Sequence, residues 1–517
     1  MSASREKKVR QDVKGQELTE KQIQAQKEAA EAKRNSIIYT VIGVVAAVAV
    51  VALLVWNSGF FQSKAAAVTI GGVEYSAADV QYYYNSCRNY YYTYAQYGLI
   101  DNFDVNVDPA DQMYDEEAGI TWQDQMMTEA IKSMAQNKAI VKLAEEEGFT
   151  LSEEGAHEVE HTMEDQANAA ISNGFTTTTA YLKAAFGDGM TKGKFKALQT
   201  EGMLVSEYIA QYTDGLEYTD EEIEQYYTDN ADNMDLFRYS YAEVKSNPAE
   251  NKDADGNVLE ATPEQVTAAM EKAEQTAQGI LNRLKAGVAF DTVLADYAED
   301  ETVTVYADKE TVSAAADPAI YEWLIKEDTK VGDAVVVETS EGAGYFVVKL
   351  LGRDRNMEKP ADVRHILVAA QQDEGADQPT EAQFDAAKAE AEALLAQWQA
   401  GEATEESFAA LAKEKSADPG SAEKGGLYEN VSSATGFIPA FTDWVLDSAR
   451  QPGDTGLVKN TGSSTKGWHI MYYVAGGEET WKTDARTGLS NEDTSAWLDQ
   501  LVEEQAVERL PGLANVG

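Results

Sequence analysis

The second half of the chain is written twice. Residues 241–352 can be laid over residues 365–476 at an offset near 121. Glu322-Trp323 falls on Asp443-Trp444, and Gly332-Asp333 on Gly453-Asp454. Phe290 and Asp300 keep the ten-residue spacing of Phe408 and Asp418. Gly344-Tyr345-Phe346-Val347 falls on Gly467-Trp468-His469-Ile470. A period this long means one folded unit used twice, since each copy must close its own core. Each copy reads as a strand, a long helix (264–286; 380–400) and a short helix (288–298; 405–415). An irregular loop, a helix near the tryptophan and two strands follow. The expected fold class is therefore α+β, with one domain over 236–355 and a second over 360–477.

The copies differ where chemistry would sit. His365 in Arg364-His365-Ile366-Leu367-Val368 and His469 in Gly467-Trp468-His469-Ile470 are two of only four histidines. Both stand in apolar, strand-like runs, where a polar ring is costly without a partner. The first copy has Tyr241 and Phe346 in their places, and it lacks the Gly425-Gly426-Leu427 string. The scaffold therefore does not need the histidines, which points to function.

The other half of the chain is organised differently. Residues 37–56, IIYTVIGVVAAVAVVALLVW, are twenty consecutive uncharged, mostly apolar residues. As a helix they match a hydrocarbon core of about 30 Å. Nine of the 42 Lys and Arg residues precede them, Lys33 and Arg34 at the edge. A cytoplasmic tail over 1–35, a transmembrane anchor over 36–57 and an extracytoplasmic remainder follow from that bias. The protein would then be single-pass in a cell membrane. A cleaved leader is the alternative, with Ala65-Ala66-Ala67 as its cleavage site. Beyond residue 35 the net charge is −50, once the nine cations and six acids of the tail are removed from the totals. So acidic a surface repels nucleic-acid phosphates and favours solubility. The single cysteine, Cys87, excludes an internal disulfide framework and a zinc ribbon. It reads as a buried or idle thiol.

Residues 68–235 read as a helical domain. Val68 to Tyr75 form a small hairpin, and Ser76 caps the next helix with Asp79 at capping-box distance. Tyr82 to Tyr97 carry eight tyrosines in sixteen residues. Spread over every helical angle, they serve either packing between helices or a surface for a partner. A last helix, Asp493 to Glu508 within residues 480–510, bears Trp497, Leu498, Leu501 and Val502 on one side. It is expected to dock on the helical domain.

The second copy resembles the parvulin family of peptidyl-prolyl isomerases. The likeness rests on His365-Ile366-Leu367-Val368, Phe408-x-x-Leu411-Ala412, Ser416-x-Asp418, Gly425-Gly426-Leu427, Ile438-Pro439-Ala440-Phe441 and Gly467-x-His469-Ile470 in that order. The whole plan is similar to extracytoplasmic foldases of the PrsA/SurA type: tether, SurA/PrsA-like helical chaperone domain, a degenerate and then an intact parvulin-like domain, and a returning helix. The resemblance implies a prolyl isomerase whose floor histidines are His365 and His469, with Asp418 beside the rotating bond. It places Leu427, Phe437 and Phe441 on the proline pocket, and Thr461 near a hydroxyl that supports the histidines. No cofactor and no metal are implied. The substrates implied are unfolded or partly folded exported polypeptides with X–Pro bonds. A homodimer is compatible with this plan. The alternative is a holdase chaperone whose parvulin domains only bind peptide. Asn430, Val431 and Lys466 depart from the family pattern. Gln371-Gln372-Asp373-Glu374 stands where phosphate-directed members carry a basic cluster, so no preference for phosphorylated substrates is expected.

One motif competes. His157-Glu158-Val159-Glu160-His161 is a literal H-E-x-x-H, the zincin pattern. Glu160 inside it, acidic flanks and no marked third ligand favour a solvated helix face over a metal site.

Overall fold

The computed structural model describes residues 33–34, 40–51, 60–100, 102–249, 251–252, 258–312, 316–373, 375–462 and 464–517. Residues 40–51 are helical. The rest of the expected anchor lies outside the described residues, as does nearly all of the tail. Among the described residues no helix is long and apolar enough to cross a membrane. Two compact units are present, one of residues 1–216 with 492–517 and one of residues 217–491.

The first unit is mainly helical, with long helices at Ala77–Gln96, Trp122–Glu147, Glu153–Ser172 and Lys192–Asp214. Thr121, Ser152 and Thr191 each accept a backbone N–H three residues on, which starts three of them. The fourth begins at Ser76, whose N–H bonds the Asp79 carboxylate at 2.9 Å. Met126, Met134 and Ile140 are fully buried between them. The tyrosine run divides. Tyr83 and Tyr84 are core, and Tyr91 donates to Glu129 at 2.7 Å. Tyr90, Tyr94 and Tyr97 are exposed. Cys87 is half-buried beside Glu129, and burial pushes its thiol up to about 12. The hairpin Ala66–Ile70/Val73–Ser76 gains a third strand, Val507–Arg509, antiparallel to the first. A helix was expected to run through Glu508. Instead the helix spans Thr480–Glu503 and the chain then extends. Val507 pairs with Ile70, so sheet hydrogen bonds replace the last helical turn. Trp497 stacks on Tyr212, with ring centroids 4.0 Å apart, and Leu501 is buried near Ile140.

The second unit holds the repeat. Its first module comprises β1 (Leu236–Lys245), α1 (Pro263–Lys285), α2 (Phe290–Ala295), β2 (Val303–Val312), α3 (Pro318–Leu324), β3 (Ala334–Glu338) and β4 (Gly344–Asp354). The second comprises β5 (Ala361–Ala369), α4 (Glu381–Ala400), α5 (Glu405–Lys415), β6 (Leu427–Val431), α6 (Pro439–Val445), β7 (Thr455–Asn460) and β8 (Gly467–Gly476). The sheets have the same antiparallel order, β2-β1-β4-β3 and β6-β5-β8-β7. The stretch read as an irregular loop in each copy contains a strand, β2 or β6. Both are edge strands, and β6 is only five residues long, which left little periodic signal.

Strand alternation sorts the side chains. Ile366, Val368, Ile470 and Tyr472 form a core with Ala387 and Ala391 of α4 and Phe408 of α5. Val363, Met471 and Tyr473 face the other way and pack with Phe441 and Val445 of α6. His365 and His469 fall on this second face. In the first module that face carries Phe237, Tyr239, Phe346 and Val348 against Ile320 and Trp323.

Candidate active site

The site stands on the two central strands of the second module. In the β5/β8 register His365 lies opposite Met471, and His469 opposite Leu367. The histidines are thus diagonal neighbours on one face, within reach of each other. Their Nδ1 atoms are 2.8 Å apart. Both rings are buried.

The loop after α5 brings in the carboxylate. Ser416 Oγ accepts from the Leu367 N–H at 3.1 Å and the Asp418 N–H at 3.3 Å, and the Ala417 N–H donates to the Leu367 carbonyl at 2.8 Å. These bonds lash the loop to β5. Asp418 Oδ2 then lies 3.0 Å from His365 Nε2. The same oxygen accepts from the Ser421 N–H at 3.1 Å, the Ser421 hydroxyl at 2.5 Å and the Tyr428 hydroxyl at 3.0 Å. Ser421 Oγ is also 2.9 Å from His365 Nε2. Four donors on one oxygen stabilise the anion. The hydrogen bond from His365 first, then that from Ser421, holds the Asp418 carboxyl well below the usual carboxylate range against the opposing effect of burial. Burial, and then Asp418, pushes the Tyr428 hydroxyl up, so it stays a donor. At the far end Asn460 Nδ2 lies 3.0 Å from His469 Nε2. Burial, and then His365, pushes His469 down to about 3.

Above this floor is a cavity of about 360 Å³. Leu367, Phe437, Ile438 and Phe441 give it an apolar side, and Asp418, Tyr428 and Asn460 a polar one. Phe441 meets both imidazoles edge-on, with centroids 5.5 Å from His365 and 5.2 Å from His469. Phe437 packs on Phe441 at 4.8 Å. A saturated five-membered ring suits the apolar side. The polar groups of Asp418, Tyr428 and Asn460 line the opposite side of the cavity.

Five of the residues expected here line the cavity: His365, Asp418, His469, Phe437 and Phe441. Two do not. Leu427 pairs with Arg364 on β6, and the next residue, Tyr428, lines the cavity instead. Consecutive strand residues face opposite sides, so a one-residue difference removes Leu427 from the wall. Thr461 is exposed, and the histidine is supported by the amide of Asn460, which is 2% exposed. Sequence reasoning missed Ser421, Tyr428 and Asn460. The one available signal was a buried-type strand ending in asparagine next to a Thr-Gly turn.

The first module shows the same geometry without the chemistry. Phe346 lies opposite Glu243, two residues beyond Tyr241, as His469 lies two beyond His365. Tyr241 and Phe346 meet edge-on at 5.5 Å, and Tyr241 stacks on Tyr306 at 4.5 Å. Asp300 is exposed and bonds Thr302 instead. The H-E-x-x-H pair is also elsewhere: His157 and His161 are exposed, and Glu160 pairs with Lys196. Among the described residues no three His, Cys, Asp or Glu groups are placed to hold a metal ion.

The second module is expected to lose stability in acid. The folded His469 refuses a proton that the unfolded chain takes between about pH 6.5 and 3. Its contribution is thus complete above about pH 6.5 and falls as pH drops toward 3. Asp418 acts in the same sense at lower pH, since its folded value is depressed. Each group contributes at most about 1.4 kcal/mol per pH unit. Urea unfolding at pH 7 and 4.5 measures this, and in His469→Gln the slope should shrink by about one proton. An unchanged slope would show that His469 titrates normally.

Residues 345–474 match the family model of the PPIC-type PPIase domain. The chaperone SurA of Pseudoalteromonas atlantica is 28% identical over 265 residues, 48% of this chain and 56% of that one. The SurA of Pseudomonas fluorescens is 28% identical over 272 residues, 50% of this chain and 59% of its own. The chain thus spans somewhat over half the length of these relatives. Among solved structures, the peptidylprolyl isomerase PrsA of Bacillus anthracis aligns at 21% identity. That alignment covers 31% of this chain and 63% of that one, with a TM-score of 0.18.

Proposed function

From the premise that the chain carries a PPIC-type PPIase domain and is similar to SurA chaperones, we propose that its second module catalyses cis–trans isomerisation of X–Pro bonds. We further propose that the chain is a membrane-anchored foldase acting on unfolded or partly folded exported polypeptides. The apolar slot of Leu367, Phe437, Ile438 and Phe441 against the His469–His365–Asp418 chain is the observation that carries the catalytic reading. The membrane part rests on the apolar run 37–56 and its basic lead.

The barrier to be lowered is about 20 kcal/mol and comes from amide resonance. Twisting the bond localises the nitrogen lone pair and changes the charge on the preceding carbonyl oxygen. No bond is broken, so no nucleophile is required. A site accelerates the rotation by fitting the twisted form better than either planar form. In this reading the proline ring seats on Phe437 and Phe441. The rotating carbonyl lies toward the Asp418 carboxylate and the Tyr428 hydroxyl, a charge and a dipole that are already fixed in place and need no rearrangement in the transition state.

Refolding of a model protein limited by proline isomerisation tests the proposal. The rate constant is expected to rise linearly with catalytic amounts of the full chain. A plain Ser-Pro peptide should turn over at least as fast as its phosphorylated counterpart, given acidic Asp373 near the first strand. A refolding rate independent of the protein would overturn the proposal.

A second reading is favoured by the first module, which keeps the sheet but puts Tyr241, Tyr306 and Phe346 where the ionisable chain would be. That surface suits peptide binding without catalysis, as in a holdase. Suppressed aggregation of an unfolded protein, with no change in isomerisation rate, would favour it.

A further inference from the structure

A second cavity lies beside the slot, in the cleft between the two modules. Its volume is about 760 Å³, against about 360 Å³ for the slot. The end of β2, the linker 356–360, the loop after β6 and the start of helix Thr480–Glu503 wall it. These wall residues all belong to the second unit. The loop after β6 serves both cavities. Ser432, Ser433 and Ala434 line the cleft, while Gly436 and Phe437 line the slot. Two residues span at most about 7 Å, so one thin turn separates the two spaces. That turn is pinned. The Thr435 hydroxyl donates to the Ser432 carbonyl at 2.7 Å, and the Ser433 N–H donates to the Glu358 carboxylate at 3.0 Å. The Glu358 carbonyl accepts in turn from the Thr480 N–H at 2.8 Å and the Thr480 hydroxyl at 3.0 Å. Linker, loop and helix are thus tied together around the cleft.

The cleft carries one sign of charge. Glu310, Glu358 and Asp484 line it, and among the described lining residues there is no Lys or Arg. Glu358 is engaged by Ser433. Burial pushes the Asp484 carboxyl up, and no cation among the described residues brings it back down. Leu236, Met357 and Pro360 add an apolar strip, in which the exposed Met357 can adapt to side chains of different shape. We propose that this cleft is a substrate subsite: with proline in the slot, the extended chain crosses the turn at 432–436 and lays a lysine or arginine side chain against Glu310 and Asp484. The subsite rests on the isomerase reading of the slot. An extended residue advances about 3.3 Å, so the cation concerned stands roughly three to five places from the proline. Carboxylates gathered in a cleft focus their field, which sets them apart from the general acidity of the chain. The first module then takes part in catalysis by binding, through Glu310 of β2, without a catalytic centre of its own.

Paired X–Pro peptides test the subsite with the full chain. One pair carries two lysines, or two glutamines, about four places after the proline. A second pair carries them about four places before it. In at least one pair the lysine peptide should have a KM about fivefold lower than its glutamine twin, with similar kcat. Raising the salt from about 0.05 M to about 0.5 M should remove most of that difference. The double variant Glu310→Gln/Asp484→Asn should bring the ratio of the two KM values close to one, and Glu310→Gln alone should move it part of the way. Glu327→Gln/Asp328→Asn removes two carboxylates that do not line the cleft and should leave the ratio as in the wild type. Equal KM values within both pairs would overturn the proposal. So would an equal fall of the ratio in both double variants, which would mean attraction by net charge alone. Fluorescence anisotropy of the same labelled peptides separates the subsite from the chemistry. If no peptide is isomerised but the lysine peptide binds more tightly, and the cleft variant weakens it, the isomerase reading fails and the subsite stands.

Discussion

Replacing His469 by alanine is expected to lower kcat/KM toward a short X–Pro peptide by about 10²-fold, with most of the loss in kcat. The ring floors the slot, meeting Phe441 at 5.2 Å, and joins Asn460 to His365. Its removal opens the floor to water and frees His365 to turn. The order of the buried dipoles, which in this account needs no rearrangement in the transition state, is lost with it. The same change leaves His365 Nδ1 without its 2.8 Å partner, a buried loss of about 1–3 kcal/mol. Stability must therefore be measured alongside rate. Urea unfolding monitored by tryptophan fluorescence shows whether the variant is folded at the assay temperature. A folded His469→Ala chain with full kcat/KM would remove the ring from the account.

Gly426→Ala should be the most damaging small substitution in the second module. Gly426 sits at φ +75°, and a Cβ there would lie 2.2 Å from the backbone oxygen of His365. Backbone cannot give way as a flexible side chain can. The Gly426 carbonyl also accepts the His365 N–H at 2.8 Å, so the strand carrying the histidine is held by this glycine. The left-handed backbone alone disfavours alanine by about 1–2 kcal/mol. With the clash, a loss of about 3 kcal/mol or more is expected. Gly453→Ala supplies the control: it also has positive φ, +92°, but nothing lies within 4 Å of its Cβ. It should lose only the backbone part. Denaturant midpoints of the two variants compare the effects directly. Equal losses would mean that the loop relaxes and the close approach is unimportant.

These two positions also show how the fold was legible. The repeat exposed both sheets, because strand-strand equivalences such as Gly344 with Gly467 survive a change of chemistry. A Cβ on either glycine would strike the partner strand's carbonyl oxygen, that of Val244 or Val368, so steric need preserves the residue in both copies. The register then reproduces the placement of Tyr241 and Phe346 against His365 and His469. Edge strands were less legible. Five residues at Leu427–Val431 carry too short a pattern to fix which side faces the cavity, and Leu427 and Tyr428 exchange places on that account. Asn460 was less legible still. Its role depends on a turn that folds Gly462 and Thr465 back onto its amide, a three-dimensional closure with no periodic trace. Thr461, adjacent in sequence, points to solvent. The C-terminal helix was misjudged for a related reason. Local propensity continues it to Glu508, whereas pairing of Val507 with Ile70, more than four hundred residues earlier, ends it.

The reaction proposed for the second module is interconversion of prolyl isomers at a floor containing His469. Exchange NMR of a short X–Pro peptide measures that interconversion without coupling to folding or proteolysis. With catalytic amounts of the full wild-type chain, exchange cross-peaks between cis and trans resonances should appear on a timescale of seconds or less. They should be far weaker with an equally folded His469→Ala chain. An exchange rate for the wild type no faster than that of the free peptide would contradict the account.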